Sequence, residues 1–351
     1  MGAENQRKMN IVFFGSSAYV LPLIQILNAE YNLELVVTTE QKETDAVPHF
    51  CITNKIPYLS VTNVKTDAFL TQIRDLGAPV AVLADFGLLI PQDLIGIFPK
   101  GIVNIHPSLL PKFRGPTPGQ SAILAGEHET GVSIMLLDQQ LDHGPILAQE
   151  KASIEQSDTA DTLYTRLFTI GSSLLAKSLR SYLDNSLVPT PQDDSKATYT
   201  KILTKQDGFF DVDKIVILER QNASIGSHQD LEDSIASLQN DAKIITSEKL
   251  HRMVRACHPW PGVWTKMNLY GKEKIVKLLP SSYYHVIPAK AGIQSIPNES
   301  KDGSPIRSGM TNQDPVNDIL LQVEGKKPMS VKDFINGYPE TKTLFQKLGL
   351  F

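Results

Sequence analysis

The segment Asn104-Ile105-His106-Pro107 sets an amide and an imidazole two residues apart at the end of an apolar run. If Gly101–Ile105 (GIVNI) is a strand, side chains at i and i+2 project to one face and can converge on one reacting centre. The amide NH₂ can donate to an oxyanion, and the imidazole can move protons near neutral pH. Pro107, Pro111, Gly115, Pro116 and Pro118 follow closely, and prolines at that density fix backbone geometry. Taken alone, an Asn-x-His pair is also what a strand end with local turn hydrogen bonds would carry, because motifs this short match by chance.

Two further clusters could serve the same centre. Gln140-Leu141-Asp142-His143-Gly144-Pro145 places a carboxylate beside Gly-Pro in a short loop between two apolar runs. Aimed into a cleft, Asp142 could orient His106 and favour its protonated form, as the third member of a triad does. An ordinary Asx-type turn would use the same residue. Asp85-Phe86-Gly87-Leu88-Leu89-Ile90-Pro91 follows a buried apolar run, and its glycine beside apolar residues could let backbone approach a flat heteroaromatic ligand. A routine strand-to-helix loop would look the same. Other chemistries lack their signatures. Gly15-Ser16-Ser17 does not have G-x-G-x-x-G spacing, and neither GxxxxGK[ST] nor HExxH occurs. His143 has no second close histidine and no cysteine partner, so no metal site is expected.

The elements around these clusters alternate. Asn10–Phe14, Leu33–Thr38, Pro57–Leu59, Pro79–Ala84 and Gly101–Ile105 read as strands, while Val20–Leu27 and Thr66–Leu76 show helical spacing. Thr130–Leu137 and Ile146–Glu150 alternate or run apolar. Thr159–Leu183 is the longest periodic segment, with Leu163, Leu167, Ile170, Leu174 and Leu175 on one face. Strands alternating with helices predict an α/β, Rossmann-like, doubly wound parallel sheet, with ligands at the C-terminal ends of its strands. Leu187–Lys196 (LVPTPQDDSK) is polar and proline-bearing and reads as a linker. The texture then changes. Val263–Leu269 and Lys274–Leu279, joined through Gly271, and Asp318–Val323 predict a small OB-like β-barrel. The expected division is a catalytic domain over 9–186, a linker over 187–205 and a C-terminal domain over 206–351. Residues 221–243 and 281–315 interrupt the pattern, and the second reads as a disordered insertion. Its peptide HVIPAKAGIQ resembles a repeat-derived sequence found in unrelated bacterial proteins.

A chain of 351 residues is long enough for two domains. Its 41% hydrophobic and 21% charged residues are ordinary for globular proteins. No apolar run reaches the roughly 18 residues of a membrane span, and the N-terminus has no signal-peptide pattern. Cys51 and Cys257 lie far apart and are expected to be reduced thiols in a cytoplasmic protein. The net charge of -4 hides a split. Residues 1–247 hold 19 basic against 29 acidic side chains, and residues 248–351 hold 15 against 9. A basic C-terminal part could meet a polyanion such as RNA, although moderate asymmetry also serves solubility.

Taken together, the clusters resemble one family. FFGSS after the first strand, ADFGLLIP at 84–91, NIHPSLLPKFRGPTP at 104–118, ETGVSIMLLD at 129–138 and LDHGPIL at 141–147 are similar, in order, to formyltransferases that use 10-formyltetrahydrofolate. The resemblance implies a catalytic set of Asn104, His106 and Asp142. It implies folate binding by Ser108, Leu109, Leu110 and Pro111, with Phe86, Gly87 and Leu88 beside them, and no metal. ATYTKILTKQDGFFD at 197–211, RACHPWPGVWT at 255–265 and LLQVEGKKPMSVKDFINGY at 320–338 resemble the C-terminal domain of the methionyl-tRNA formyltransferases. That implies an initiator methionyl-tRNA acceptor, formylated in translation initiation by a cytoplasmic monomer with no membrane partner. The implied reaction is attack of a primary amine on the formyl carbon, with Asn104 meeting the oxyanion, protonated His106 as a second donor or a proton shuttle to the leaving nitrogen, and Asp142 favouring and positioning the imidazolium or ordering a water that relays the proton. An amine on a nucleotide-linked sugar is the alternative acceptor, and a non-catalytic RNA-binding protein on the same scaffold is a third reading. One departure stands out: Thr38–Val47 (TTEQKETDAV) replaces the basic, glycine-containing loop usual after the second strand.

Overall fold

A computed structural model describes residues 8–212, 247–281, 319–348 and 350. The chain divides into two units, Met1–Ile202 and Leu203–Phe351. The segments 221–243 and 281–315, singled out above as interruptions, lie outside the described residues except for Ser281.

The first unit is built on a seven-stranded sheet of order β3-β2-β1-β4-β5-β6-β7. The strands are β1 (Asn10–Phe14), β2 (Asn32–Thr39), β3 (Tyr58–Val61), β4 (Val80–Leu83), β5 (Ile102–His106), β6 (Glu129–Leu136) and β7 (Ile146–Ser153). β1 to β5 pair in parallel, and β1, β4 and β5 are almost wholly buried, as continuous apolar runs in such sheets should be. The all-parallel expectation needs correction at one edge, because β5–β6 and β6–β7 are antiparallel. For β6 and β7 the reason is chain length: the loop 137–145 is too short for the dozen or more residues of a parallel crossover.

Six helices flank this sheet: α1 (Leu21–Glu30), α2 (Ala46–Asn54), α3 (Asp67–Asp75), α4 (Gln92–Ile95), α5 (Pro118–Ala125) and α6 (Ala160–Leu183). Thr66 caps α3 by accepting from the Phe69 N–H, and a reciprocal Thr159–Thr162 capping box starts α6. α6 buries Leu163, Leu167, Leu174 and Leu175 from its predicted apolar face. On the other side a core gathers Val12, Phe14, Val37, Phe69, Ile73, Ala81, Leu94, Phe98 and Ile102.

The second unit carries an antiparallel four-stranded sheet of order β11-β10-β9-β8. It comprises β8 (Val263–Leu269), β9 (Lys272–Pro280), β10 (Ile319–Val323) and β11 (Met329–Ser330), where the sequence predicted short strands with glycine turns. β8 alternates buried and exposed residues, as a strand with one covered face does. Tyr270 and Gly271 both have positive φ, the geometry a tight hairpin turn demands. Helices α7 (Ser247–Ala256), α8 (Val331–Gly337) and α9 (Lys342–Lys347) complete the unit. Cys51 and Cys257 are buried and unpaired, and burial pushes both thiols up to about 11. No described helix is long and apolar enough to cross a membrane.

Gly131 shows how tightly β6 and β7 meet the loop that follows β5. A Cβ there would lie 2.2 Å from the Glu150 carbonyl oxygen and 2.6 Å from the Leu109 side chain. Gly131→Ala is therefore expected to destabilise the protein by about 1–3 kcal/mol, the usual cost of overpacking, measurable by urea denaturation.

Candidate active site

β5 carries the first two residues of the site near its end. Asn104 lies between Leu83 of β4 and Met135 of β6, and His106 lies opposite Ser133. Both side chains are buried, at 6% and 4% exposure. The β6–β7 loop folds back over them and delivers Asp142. The Asp142 Oδ1 atom is 3.4 Å from the Asn104 Nδ2 donor, and its Oδ2 atom is 3.7 Å from His106 Nδ1. The backbone N–H of Gly115 donates to the same Oδ2 at 2.8 Å. The three residues that the sequence pointed to thus share one centre.

The hydrogen bonds assign the imidazole's protons. His106 Nε2 lies 2.9 Å from the Phe113 carbonyl oxygen. A carbonyl only accepts, so Nε2 carries hydrogen and Nδ1 is the nitrogen facing Asp142. The loop backbone around this centre is unusual. Asp142 and Phe113 have φ of 48° and 61°, a left-handed conformation that non-glycine residues adopt at a cost of about 1–3 kcal/mol. Gly115, at φ 113°, could not be replaced simply: a Cβ would lie 2.7 Å from Thr200 Oγ1.

The Ser108–Pro111 stretch is held from beneath by Ser133. Its hydroxyl donates to the Ser108 carbonyl at 2.6 Å, and accepts from the Leu110 N–H at 3.0 Å and Gln149 Nε2 at 2.8 Å. Gln149 also donates to the Leu110 carbonyl at 2.9 Å. Ser108 itself is fully buried, with its hydroxyl donating to the Lys112 carbonyl. It therefore shapes the loop, while Leu109 and Pro111 remain partly exposed.

The 85–91 loop divides its residues between two tasks. Phe86 is 2% exposed and packs edge-on against Phe14 at 5.4 Å, so its ring belongs to the core. Gly87 is exposed, Leu88 is half-buried and Leu89 is 78% exposed. Leu88 and Leu89 beside Gly87 give this loop an apolar edge. Leu89 was not among the singled-out ligand positions, because periodicity does not separate it from Leu88. Ser16 ties this loop to the ends of β1 and β2: its hydroxyl donates to the Phe86 carbonyl and accepts from the Thr39 N–H.

Sequence spacing missed a second tier. Arg114 is 2% exposed, and its guanidinium bonds Gln192 and Asp194. His143 Nδ1 lies 2.6 Å from Asp138 Oδ2 and its Nε2 lies 3.3 Å from Asp194 Oδ2. The hydrogen bond with Asp138 raises the His143 pKa, with Asp194 adding to it. The burial of Arg114 has no signal in KFRGP itself; once buried, such a charge needs partners. No group of three metal-ligating side chains occurs among the described residues. In the second unit, a cavity of about 600 Å³ is lined by Lys205, Trp260, Trp264 and Lys277 among others.

The formyl transferase model matches residues 9–179, and the formyl transferase, C-terminal domain model matches residues 244–339. A methionyl-tRNA formyltransferase of Roseiflexus sp. (strain RS-1) is 30% identical over 343 residues, covering 94% of this chain and 92% of that protein. Another, of Chloroflexus aurantiacus, is 31% identical over 346 residues, covering 94% and 97%. Among solved structures, a 4-N formyltransferase from Francisella tularensis matches with a TM-score of 0.56 at 17% identity, over 76% of this chain and 95% of that one. That last likeness concerns the fold.

Three substitutions separate loop support, core packing and surface exposure. Ser133→Ala leaves the Leu110 N–H and the Ser108 carbonyl without their buried partner, and should cost about 1–3 kcal/mol in chemical denaturation. Phe86→Ala should cost about 3–5 kcal/mol, as loss of a core aromatic does, whereas Leu89→Ala should change stability by no more than about 0.5 kcal/mol.

Proposed function

The chain belongs to the formyl transferase family, and from that premise we propose that it transfers the formyl group of 10-formyltetrahydrofolate to the amino group of initiator methionyl-tRNA. The observation that carries the chemistry is the convergence of Asn104 and His106 on Asp142, at 3.4 Å and 3.7 Å. The acceptor rests on the methionyl-tRNA formyltransferases that match most of the chain. The second unit adds support: Trp260, 59% exposed, shares a cavity with Lys205 and Lys277, a pairing of aromatic and cationic groups suited to nucleic acid.

The folate supplies an activated formyl group, and the apolar edge of Gly87, Leu88 and Leu89, with Leu109 and Pro111, would hold it. The acceptor amine attacks the formyl carbon, a C–N bond forms, and the bond to the folate nitrogen breaks. The amine gives up a proton and the folate nitrogen takes one. Negative charge on the formyl oxygen needs donors in a water-poor site. One Asn104 N–H faces Asp142, which leaves the other for that oxygen. His106 works through Nδ1, because Nε2 is committed to Phe113. Asp142 orients the ring from that side, and the Gly115 N–H keeps its carboxylate in place.

Removing one oxyanion donor typically lowers turnover by about 10²–10³-fold, and that loss is expected for Asn104→Ala in a formyl-transfer assay. A near-wild-type rate would refute the assignment. The acceptor is tested by supplying 10-formyltetrahydrofolate with either charged initiator tRNA or nucleotide-linked amino sugars. Formylmethionyl-tRNA is the expected product. Formylation of a sugar alone would overturn the proposal. Affinity for tRNA should also fall steeply as salt rises, because phosphate contacts release counterions.

A further inference from the structure

We infer that Gln192, held by Arg114, positions Asp142 for catalysis, so that the stretch read as a linker is part of the active site. The inference rests on the role proposed above for Asp142. Gln192 uses its whole amide. Nε2 donates to the backbone carbonyls of Asp142 and Gly144, both at 2.8 Å. Oε1 accepts from Arg114 Nε at 3.1 Å and Nη2 at 2.8 Å. Arg114 adds a bond to Asp194 Oδ1 at 2.7 Å and one to the Tyr199 hydroxyl at 3.3 Å. Its backbone pairs with the same stretch: Arg114 N–H donates to Thr198 O, and Thr200 N–H donates to Arg114 O.

These bonds close a ring around Asp142. The residue after Arg114 is Gly115, whose N–H holds the Asp142 carboxylate. Asp142 is therefore gripped at its side chain by Gly115 and at its backbone by Gln192, and Arg114 joins the two grips. Such a grip is needed. Asp142 sits in a left-handed conformation that the loop alone does not favour. Its carboxylate is 3.7 Å from His106 Nδ1, a separation that a small shift of the loop would change. Displacement of a catalytic group by about 1 Å can cost about 10²-fold in rate. Gln192 reaches neither Asn104 nor His106 by any hydrogen bond described, so it acts through Asp142 as a positioning residue.

A purely structural strap would anchor the segment to Arg114 and leave catalysis alone. Gln192→Glu separates these roles. Its carboxylate still accepts from Arg114, but it has no N–H for the Asp142 and Gly144 carbonyls. Gln192→Met removes both functions at similar size. The full-length variants are assayed for formyl transfer beside Asn104→Ala, with the folded fraction at assay temperature followed by circular dichroism. Both Gln192 variants should lose about 10–10²-fold in kcat, with KM for the formyl donor changed by less than about 2-fold. The folded fraction of Gln192→Glu should match the wild type. Wild-type kcat in Gln192→Glu beside a crippled Asn104→Ala would overturn the inference and leave the site assignment standing. Activity falling only in proportion to folded protein would overturn it as well. A fully active Asn104→Ala would instead sink the site assignment, and this inference with it.

Discussion

One carboxylate organises the site. Asp142 has two oxygens and three neighbours: the Asn104 amide, the His106 ring and the Gly115 N–H. The direct backbone bond to Gly115 fixes where the charge sits, and the two side chains on β5 are read against that position. Much of the local architecture follows from this. The β6–β7 loop has to turn back over β5. Position 115 has to lack a side chain, because Thr200 fills the space. The loop after β5 has to bring the Phe113 carbonyl to His106, which fixes the working nitrogen of the ring.

The sheet makes such placement accurate. β5 is flanked by β4 on one side and β6 on the other, so Asn104 and His106 stand on a strand paired along both edges. Rigid elements of this kind hold functional groups better than loops do. The loops themselves are pinned by buried and half-buried polar groups rather than by apolar packing alone. Ser133 supports the Ser108–Pro111 stretch, and Ser16 joins the ends of β1, β2 and β4. A buried hydroxyl left without its partners costs free energy, so each of these contacts locks one loop geometry.

Much of this was legible in the sequence. The bounds of β1 and β8 coincide with the apolar runs read there, and α6 begins one residue after the Thr159 where its periodicity starts. Asn104, His106 and Asp142 were legible as chemistry because their residue types are suited to it, and their meeting follows from strand and loop geometry. Other features left no such trace. The direction of β6 depends on tertiary pairing and not on its own pattern. α5 starts at Pro118, in a stretch whose prolines read as loop, because proline is also at home in a helix's first turn. Phe86 looks like a ligand contact beside Gly87, yet burial against Phe14 decides its place. Gln192 and Arg114 act across 78 residues of sequence, so no local spacing relates them.

The most direct test of the central claim is single-turnover formyl transfer by Asp142→Asn. Asparagine tolerates the left-handed backbone and can still accept from the Gly115 N–H, so the loop keeps its shape while the charge is lost. With saturating 10-formyltetrahydrofolate and methionyl-tRNA, the transfer rate should fall by about 10²-fold or more, with donor affinity little changed. Transfer at the wild-type rate would contradict an active site organised by this carboxylate.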